Sequence, residues 1–407
     1  MGLIAITGGR LCDPAAESLR EGSVLIDGDR IVAMGTIDIP ADAERIEARG
    51  MLVAPGIIDV GVFRTDKPAF HFAGITRAAL MPDQSPVLDD PGLVQHAGRA
   101  GKPDFWVHPL GAATRGLEGR ELAEMAMMKA AGARAIATGR RWIADSGVML
   151  RVLRYAASLD LAVITHAEDD GLTHNAVATD GETATRLGLA SAPACAEAIA
   201  IARDIALARE TGARLHIRLV TTAAGFSLVR AAKAEGLAVT CGTSPSYLFL
   251  NDSAASDFRT FARLSPPLRS EDERRATIRA VADGTVDILC SGHDPRGPED
   301  KRLPFADAVP GIAGAETLLP LGLNLVRDGQ IGETRLMALL TANPARLLGL
   351  DAGRLEPGAP ADLILIDPDT PWIVDSAKMA AAAGNTPFDK LPVQGRVRLL
   401  MKGGVVR

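Results

Sequence analysis

The sequence predicts an α/β protein, a (β/α)8 TIM-like barrel carrying a small β-sandwich domain formed by both chain ends. Two observations predict it. Through the middle of the chain, short apolar runs alternate with longer amphipathic stretches, which is the pattern of βα units around a parallel sheet. Both ends instead carry short strands broken by turns, and neither end alone has enough core to stand by itself. The 407 residues, 47% hydrophobic and 23% charged, can bury a large core without disulfide or metal staples.

Residues 1–54 read as the N-terminal part of the composite β-domain. Strands are expected at Leu3 to Ile6, Ser23 to Ile26 and Arg30 to Met34, with Asp27-Gly28-Asp29 as the turn between the last two. Residues 55–345 read as the barrel. Its eight strands are expected at Ile57 to Phe63, Ile75 to Met81, Phe105 to Leu110, Ala133 to Ala137, Leu161 to Thr165, Arg214 to Val220, Leu237 to Cys241 and Thr285 to Cys290. Helices are expected at Glu121 to Ala131, Ser146 to Leu159, Ala196 to Thr211 and Ala223 to Glu235. Residues 346–407 return to the β-domain, with strands at Ala361 to Ile366 and Val397 to Met401 and a turn at Lys402-Gly403-Gly404 before Val405-Val406. The rival fold, a doubly wound open sheet, is disfavoured because no GxGxxG follows any strand.

The charge balance excludes some partners. A net charge of −6 without a basic stripe repels a nucleic-acid backbone. No apolar run reaches the roughly 18 residues of a membrane span, and the N-terminus lacks the basic flank and sustained apolar stretch of an export signal. Cys12, Cys195, Cys241 and Cys290 are scattered with no CxxC pair, so a reduced, cytoplasmic chain with buried thiols is expected.

In such a barrel the reactive groups sit at the C-terminal ends of the strands. Here those tips are poor in ligands: Gly61 and Phe63, Asp83, Thr138 and Gly139, His166, Leu219, Ser244, then Gly292, His293 and Asp294. His71, His96, His108 and His174 read as surface or hydrogen-bonded core residues. No GxSxG elbow accompanies Ser291, so a Ser-His-Asp hydrolase is disfavoured. Cys241 and Cys290 read as small buried residues, not nucleophiles.

Several segments carry a family resemblance that runs along essentially the whole chain. APGIIDVGVFRTD (Ala54 to Asp66), ALMPDQSP, LAVITHAED, LHIRLVTT, TSPSYLFLND, SPPLRSEDER, ADGTVDILCSGHDPR and NPARLLGL followed by GRLEPGAPADLILID together resemble the amidohydrolase superfamily, in its dihydroorotase branch. That branch enters its first barrel strand with PGxIDxHxH, whose two histidines bind zinc. The resemblance therefore implies lost ligand positions at Gly61, Phe63, Thr138 and Leu219, and places Gly292 where the catalytic aspartate belongs. Of the metal-site positions only His166 survives, and one histidine cannot hold zinc at neutral pH.

The resemblance implies no catalytic residue and no cofactor, and a vestigial ligand pocket at Arg64 and Asp83. It further implies an oligomeric, structural protein of pyrimidine biosynthesis partnering aspartate transcarbamoylase, as inactive dihydroorotase-like chains do. The alternative expectation is a working cyclic amidohydrolase, using zinc in a rearranged site drawn from His166, His216, His293 and Asp294.

Overall fold

The computed structural model describes residues 2–407 and contains the expected eight barrel strands: Ile57–Val62, Ile75–Leu80, Trp106–Pro109 continuing as Gly111–Ala112, Ile136–Ala137, Val163–Thr165, Leu215–Ile217, Val239–Thr243 and Ile288–Leu289. Successive strands pair in parallel. The third strand bends at Leu110, whose N–H bonds Leu80 at 2.9 Å while Gly111 turns its N–H to Ala135 at 3.0 Å. One strand thus serves two neighbours. Between the eighth and first strands the ring is joined by Phe63 N–H on the His293 carbonyl at 2.9 Å. The fully buried Asp59 adds a second tie, accepting from Ser291 N–H at 2.9 Å and from its hydroxyl. Burial pushes the Asp59 carboxyl up, against the two Ser291 bonds.

Inside the barrel, Ile58, Val60, Ala79, Met81, Leu110, Ala137, Ile164 and Ile288 form one apolar cluster. Ile57 and Val62 belong instead to the larger cluster beneath the helices. Strict alternation would put Val60 and Val62 on one face. The register shifts between them, at Gly61 with φ +85°, so that Val62 turns outward and Phe63 joins the interior.

The surrounding helices follow from their caps and apolar stripes. Ser146–Ser158 starts where the Asp145 carboxylate accepts from Val148 N–H at 2.9 Å, and it buries Val148, Met149, Val152, Leu153 and Ala156. Ala223–Ala234 is capped by Thr222, which accepts from Gly225 N–H at 3.1 Å. Asn343–Leu348 sends Leu347 and Leu348 into the barrel's interior cluster.

The two chain ends share one eight-stranded sheet, in which Leu363–Ile366 pairs antiparallel with Leu52–Pro55. Alternation divides its faces. Val53, Leu363 and Leu365 join Ile6, Val24, Ile26 and Met401 in a core of their own, whereas Leu52, Ala54, Ile364 and Ile366 pack with the barrel's helical layer. The first two strands are longer than their apolar runs, spanning Ile4–Asp13 and Ser18–Asp27. Gly8-Gly9 interrupts the apolar pattern there, but pairing resumes after a register shift between Ile6 and Gly9. Among the described residues, no helix is long and apolar enough to cross a membrane. Cys12, Cys241 and Cys290 are buried, but Cys195, expected to be buried, is exposed on the first turn of Cys195–Thr211.

Candidate functional site

At the C-terminal ends of the barrel strands a guanidinium lies among positions where the family resemblance implies metal ligands. Arg218, on the sixth strand's tip, is 3% exposed. A Cβ added at Gly61 would meet its Cδ at 3.0 Å, and its Cζ lies 5.1 Å from the centroid of the Phe63 ring. Its Nη2 is 3.4 Å from His166 Nδ1. The space bounded by Gly61, Phe63 and His166 is therefore filled by a fixed positive charge.

His166 is committed on its other side as well. Its Nε2 lies 3.1 Å from Glu168 Oε2, and its backbone N–H bonds the Thr138 hydroxyl at 3.1 Å. With a carboxylate at Nε2 and a donor at Nδ1, the geometry has Nε2–H donating to Glu168 and Nδ1 accepting from Arg218. Glu168 in turn meets Arg269 Nη2 at 3.3 Å. Burial opposes its charge, but the bond from His166 and the nearby Arg269 prevail and hold its carboxyl below the ordinary range.

Arg269 extends the network inward. Its Nε bonds the Thr221 hydroxyl at 2.9 Å, its Nη1 bonds the Thr179 hydroxyl at 3.0 Å, and its Nη2 lies 3.4 Å from Glu197. The fully buried Glu197 accepts the backbone N–H groups of Thr221 and Thr222 at the start of Ala223–Ala234. These charges are spent on holding loops together.

Across the mouth, Arg140 Cζ sits 3.6 Å above the Phe63 ring while its Nη2 bonds Asp294 at 2.8 Å. Arg296 takes the same Asp294 oxygen at 3.0 Å. What remains between Phe63, Arg140, Arg218, Tyr247 and Gly292 is a cavity of about 40 Å³. A water takes roughly 30 Å³ and ligand pockets start near about 300 Å³. The space between these five side chains is therefore small, whereas a separate cavity of about 560 Å³ lies beside Thr138, Arg141 and Asp170.

The remaining expected site residues are placed as follows. Leu219 packs with Tyr247, Leu264 and Ile312 in an apolar cluster. Gly292 has φ +63°, and a Cβ there would meet only Ile312 Cγ2 at 3.8 Å. Asp83 Oδ1 accepts from Arg140 N–H at 2.9 Å, so its carboxylate is a loop tie. Arg64 is exposed and, contrary to expectation, does not line the cavity. The register shift at Gly61 brings Phe63 inward in its stead.

Nor do the residual metal candidates converge. His216 is buried with Nδ1 2.9 Å from the Thr240 hydroxyl, and burial followed by the charges of Lys233 and Arg218 pushes its imidazole down to about 3. His293 is fully buried, its Nδ1 accepting from Ala315 N–H at 3.3 Å and its Nε2 3.5 Å from Asp66. It faces the helical layer, as the alternation past Gly292 allows. Asp294 is held by two arginines. Among the described residues, no three His, Cys, Asp or Glu side chains are grouped to hold a metal. The donor set does not fit the family's zinc, because the implied positions Gly61, Phe63 and Leu219 offer no ligand atom and the one histidine left faces a cation.

Sequence reasoning missed Arg218, Arg269 and Glu197. LHIRLVTT places Arg218 directly before Leu219, where the family resemblance implies a ligand, and a basic residue at such a strand tip is the signal that could have marked it.

Comparison with known proteins agrees with the fold. Residues 56–224 match the family model described as Dihydro-orotase-like. A dihydroorotase from Syntrophotalea carbinolica is 40% identical across 97% of this chain and 96% of its own, and one from Geotalea daltonii is 37% identical across 95% and 94%. Among solved structures, the L-hydantoinase of Arthrobacter aurescens superposes with a TM-score of 0.89 at 26% identity, covering 100% of this chain and 96% of its own. Sequence motifs, barrel and relatives agree: the chain belongs to the dihydroorotase family of the amidohydrolase superfamily.

Proposed function

We propose that this family member has lost hydrolytic activity and serves de novo pyrimidine biosynthesis as a structural protein, in a cytoplasmic assembly with aspartate transcarbamoylase. One observation carries the loss of activity. Arg218 occupies the space beside His166, where the family resemblance implies a metal, and places a positive charge there.

The chemistry points the same way. Hydrolysis of a ring amide by this family requires a metal-activated hydroxide and an acid to protonate the leaving nitrogen. Neither requirement is met by Gly61, Phe63, Leu219 and Gly292. Retention of the barrel's ties, through Asp59 and Ser291 and through Arg269 with two glutamates, is what a fold kept for assembly requires. The partner is taken from the family resemblance.

The partnership is tested by mixing the purified chain with the aspartate transcarbamoylase of the same organism and measuring mass by size-exclusion chromatography with light scattering. Co-elution at a defined stoichiometry is expected. Separate elution at micromolar concentrations of both would overturn the partnership.

A further inference from the structure

The opposite end of the barrel holds a second cavity, about 460 Å³ in volume, between the N-terminal ends of the strands and the β-domain. Its wall is strongly basic on a chain whose net charge is −6. Six cationic side chains line it against three carboxylates. Two of those carboxylates are already engaged. Asp362 accepts from Arg77 at 2.7 Å and from Lys402 at 2.8 Å, and Asp351 pairs with Arg30 at 3.1 Å. Arg99, Lys102 and Arg134 form no ion pair among the described residues.

Two further features mark the cavity as built to receive something. Trp106 gathers cations, with Lys402 Nζ 3.9 Å, Arg77 Cζ 4.5 Å and Lys102 Nζ 5.2 Å from its ring. Asp362 balances Arg77 and Lys402, which leaves Lys102 beside the ring with no carboxylate partner. Beside them His108, on the third strand, is 6% exposed, and its buried Nε2 has no hydrogen-bond partner. It had been expected to be a surface or satisfied core histidine. Burial, then the charges of Arg77, Arg134, Lys402 and Lys102, push its imidazole down to about 3, so it stays neutral at physiological pH. An unpaired buried polar atom is destabilising, and a ligand or bound water would relieve it.

We propose that this cavity is a binding site for a small, multiply charged oxyanion, bearing phosphate or carboxylate groups, held by Lys102, Arg134 and Arg99 over Trp106 and His108. The volume suits a small molecule. Guanidinium forks and ammonium groups supply the donors that such oxygens need. The site lies at the end of the barrel away from the vestigial pocket, and the inference does not depend on the proposed assembly.

Isothermal titration calorimetry with pyrophosphate and with succinate, at constant ionic strength, tests it. Saturable binding of at least one probe at one site per chain is expected, and whichever binds more tightly distinguishes phosphate from carboxylate recognition. The double variant Lys102→Ala/Arg134→Ala should weaken that binding tenfold or more, whereas Arg209→Ala, removing an exposed charge elsewhere, should not. Lys102 and Arg134 are exposed and unpaired, so the double variant should fold normally. Absence of saturable binding by both probes, or equal affinity in the double variant, would overturn the proposal.

Discussion

Arg218 Nη2 stands 3.4 Å from His166 Nδ1, so the histidine that the family resemblance places at a metal position faces a fixed positive charge. A dication held about 4 Å from that guanidinium would meet roughly 8 kcal/mol of repulsion at an effective dielectric constant of about 20. Gly61, Phe63 and Leu219 carry no donor atoms to offset it, and the nearby Glu168 is engaged by His166 and Arg269.

Arg218 fills space at the expense of a buried charge whose Nε has no partner. Arg218→Met keeps most of the volume and removes that charge. Arg218 forms no ion pair among the described residues, so its replacement by an apolar side chain of similar size removes a desolvation cost without orphaning a carboxylate. The urea midpoint of Arg218→Met should therefore correspond to a stability change within about 1 kcal/mol of the parent, or to a gain. A loss above about 3 kcal/mol would show that the guanidinium is a necessary structural tie.

Arg269 is the opposite case. It stands between Glu168 and Glu197, both buried, and Arg269→Met leaves both without their cation. Breaking a buried pair from one side costs about 3–5 kcal/mol. Chemical denaturation of Arg269→Met should show a loss of that size; a loss below about 1 kcal/mol would contradict the network.

Introducing the residues that the family resemblance implies at Gly292 and Gly61 should be unequally difficult. Gly292→Asp introduces a side chain at φ +63° with open space around its Cβ, so backbone strain of about 1–2 kcal/mol is its main cost. Gly61→His meets φ +85° and Arg218 Cδ at 3.0 Å as well. Thermal unfolding should therefore rank Gly61→His below Gly292→Asp. Equal melting temperatures would mean that Arg218 moves aside freely.

Asp204 gives a pH dependence whose sign follows from its surroundings. It is fully buried in Cys195–Thr211, and burial outweighs the neighbouring Arg203 to push its carboxyl up to about 6. An unfolded aspartate titrates near about 3.9. Between those values the folded chain keeps a proton that the unfolded chain has released. Its contribution to stability is thus present below about pH 4 and is lost as pH rises through about 6, by roughly 3 kcal/mol in all. Asp204→Asn lacks this titration. The difference in stability between variant and parent should move in the variant's favour from pH 4.5 to 7.5, and a constant difference would contradict the raised titration.

The barrel was legible because each parallel strand is buried on both faces and reads as a short apolar run, as at Leu161 to Thr165. The β-domain was legible in outline only. Arg20 and Glu21 lie inside the strand Ser18–Asp27, where backbone pairing continues through polar residues that periodicity takes for a turn. Within the site, Gly61, Phe63 and Leu219 could be singled out from the sequence because each stands at a motif position of the family resemblance. What surrounds them could not. Arg218 meets His166 across 52 residues and Arg269 meets Glu197 across 72, separations that no local pattern encodes. The bulge at Gly61 was equally hidden, because a one-residue change of phase leaves the composition of the strand unchanged.

The most direct test of the central claim is the rate of dihydroorotate hydrolysis by the purified chain supplied with zinc, measured beside its bound-metal content. No turnover above the metal-containing buffer and no stoichiometric zinc are expected. Turnover with bound zinc that His166→Ala abolishes would contradict the claim.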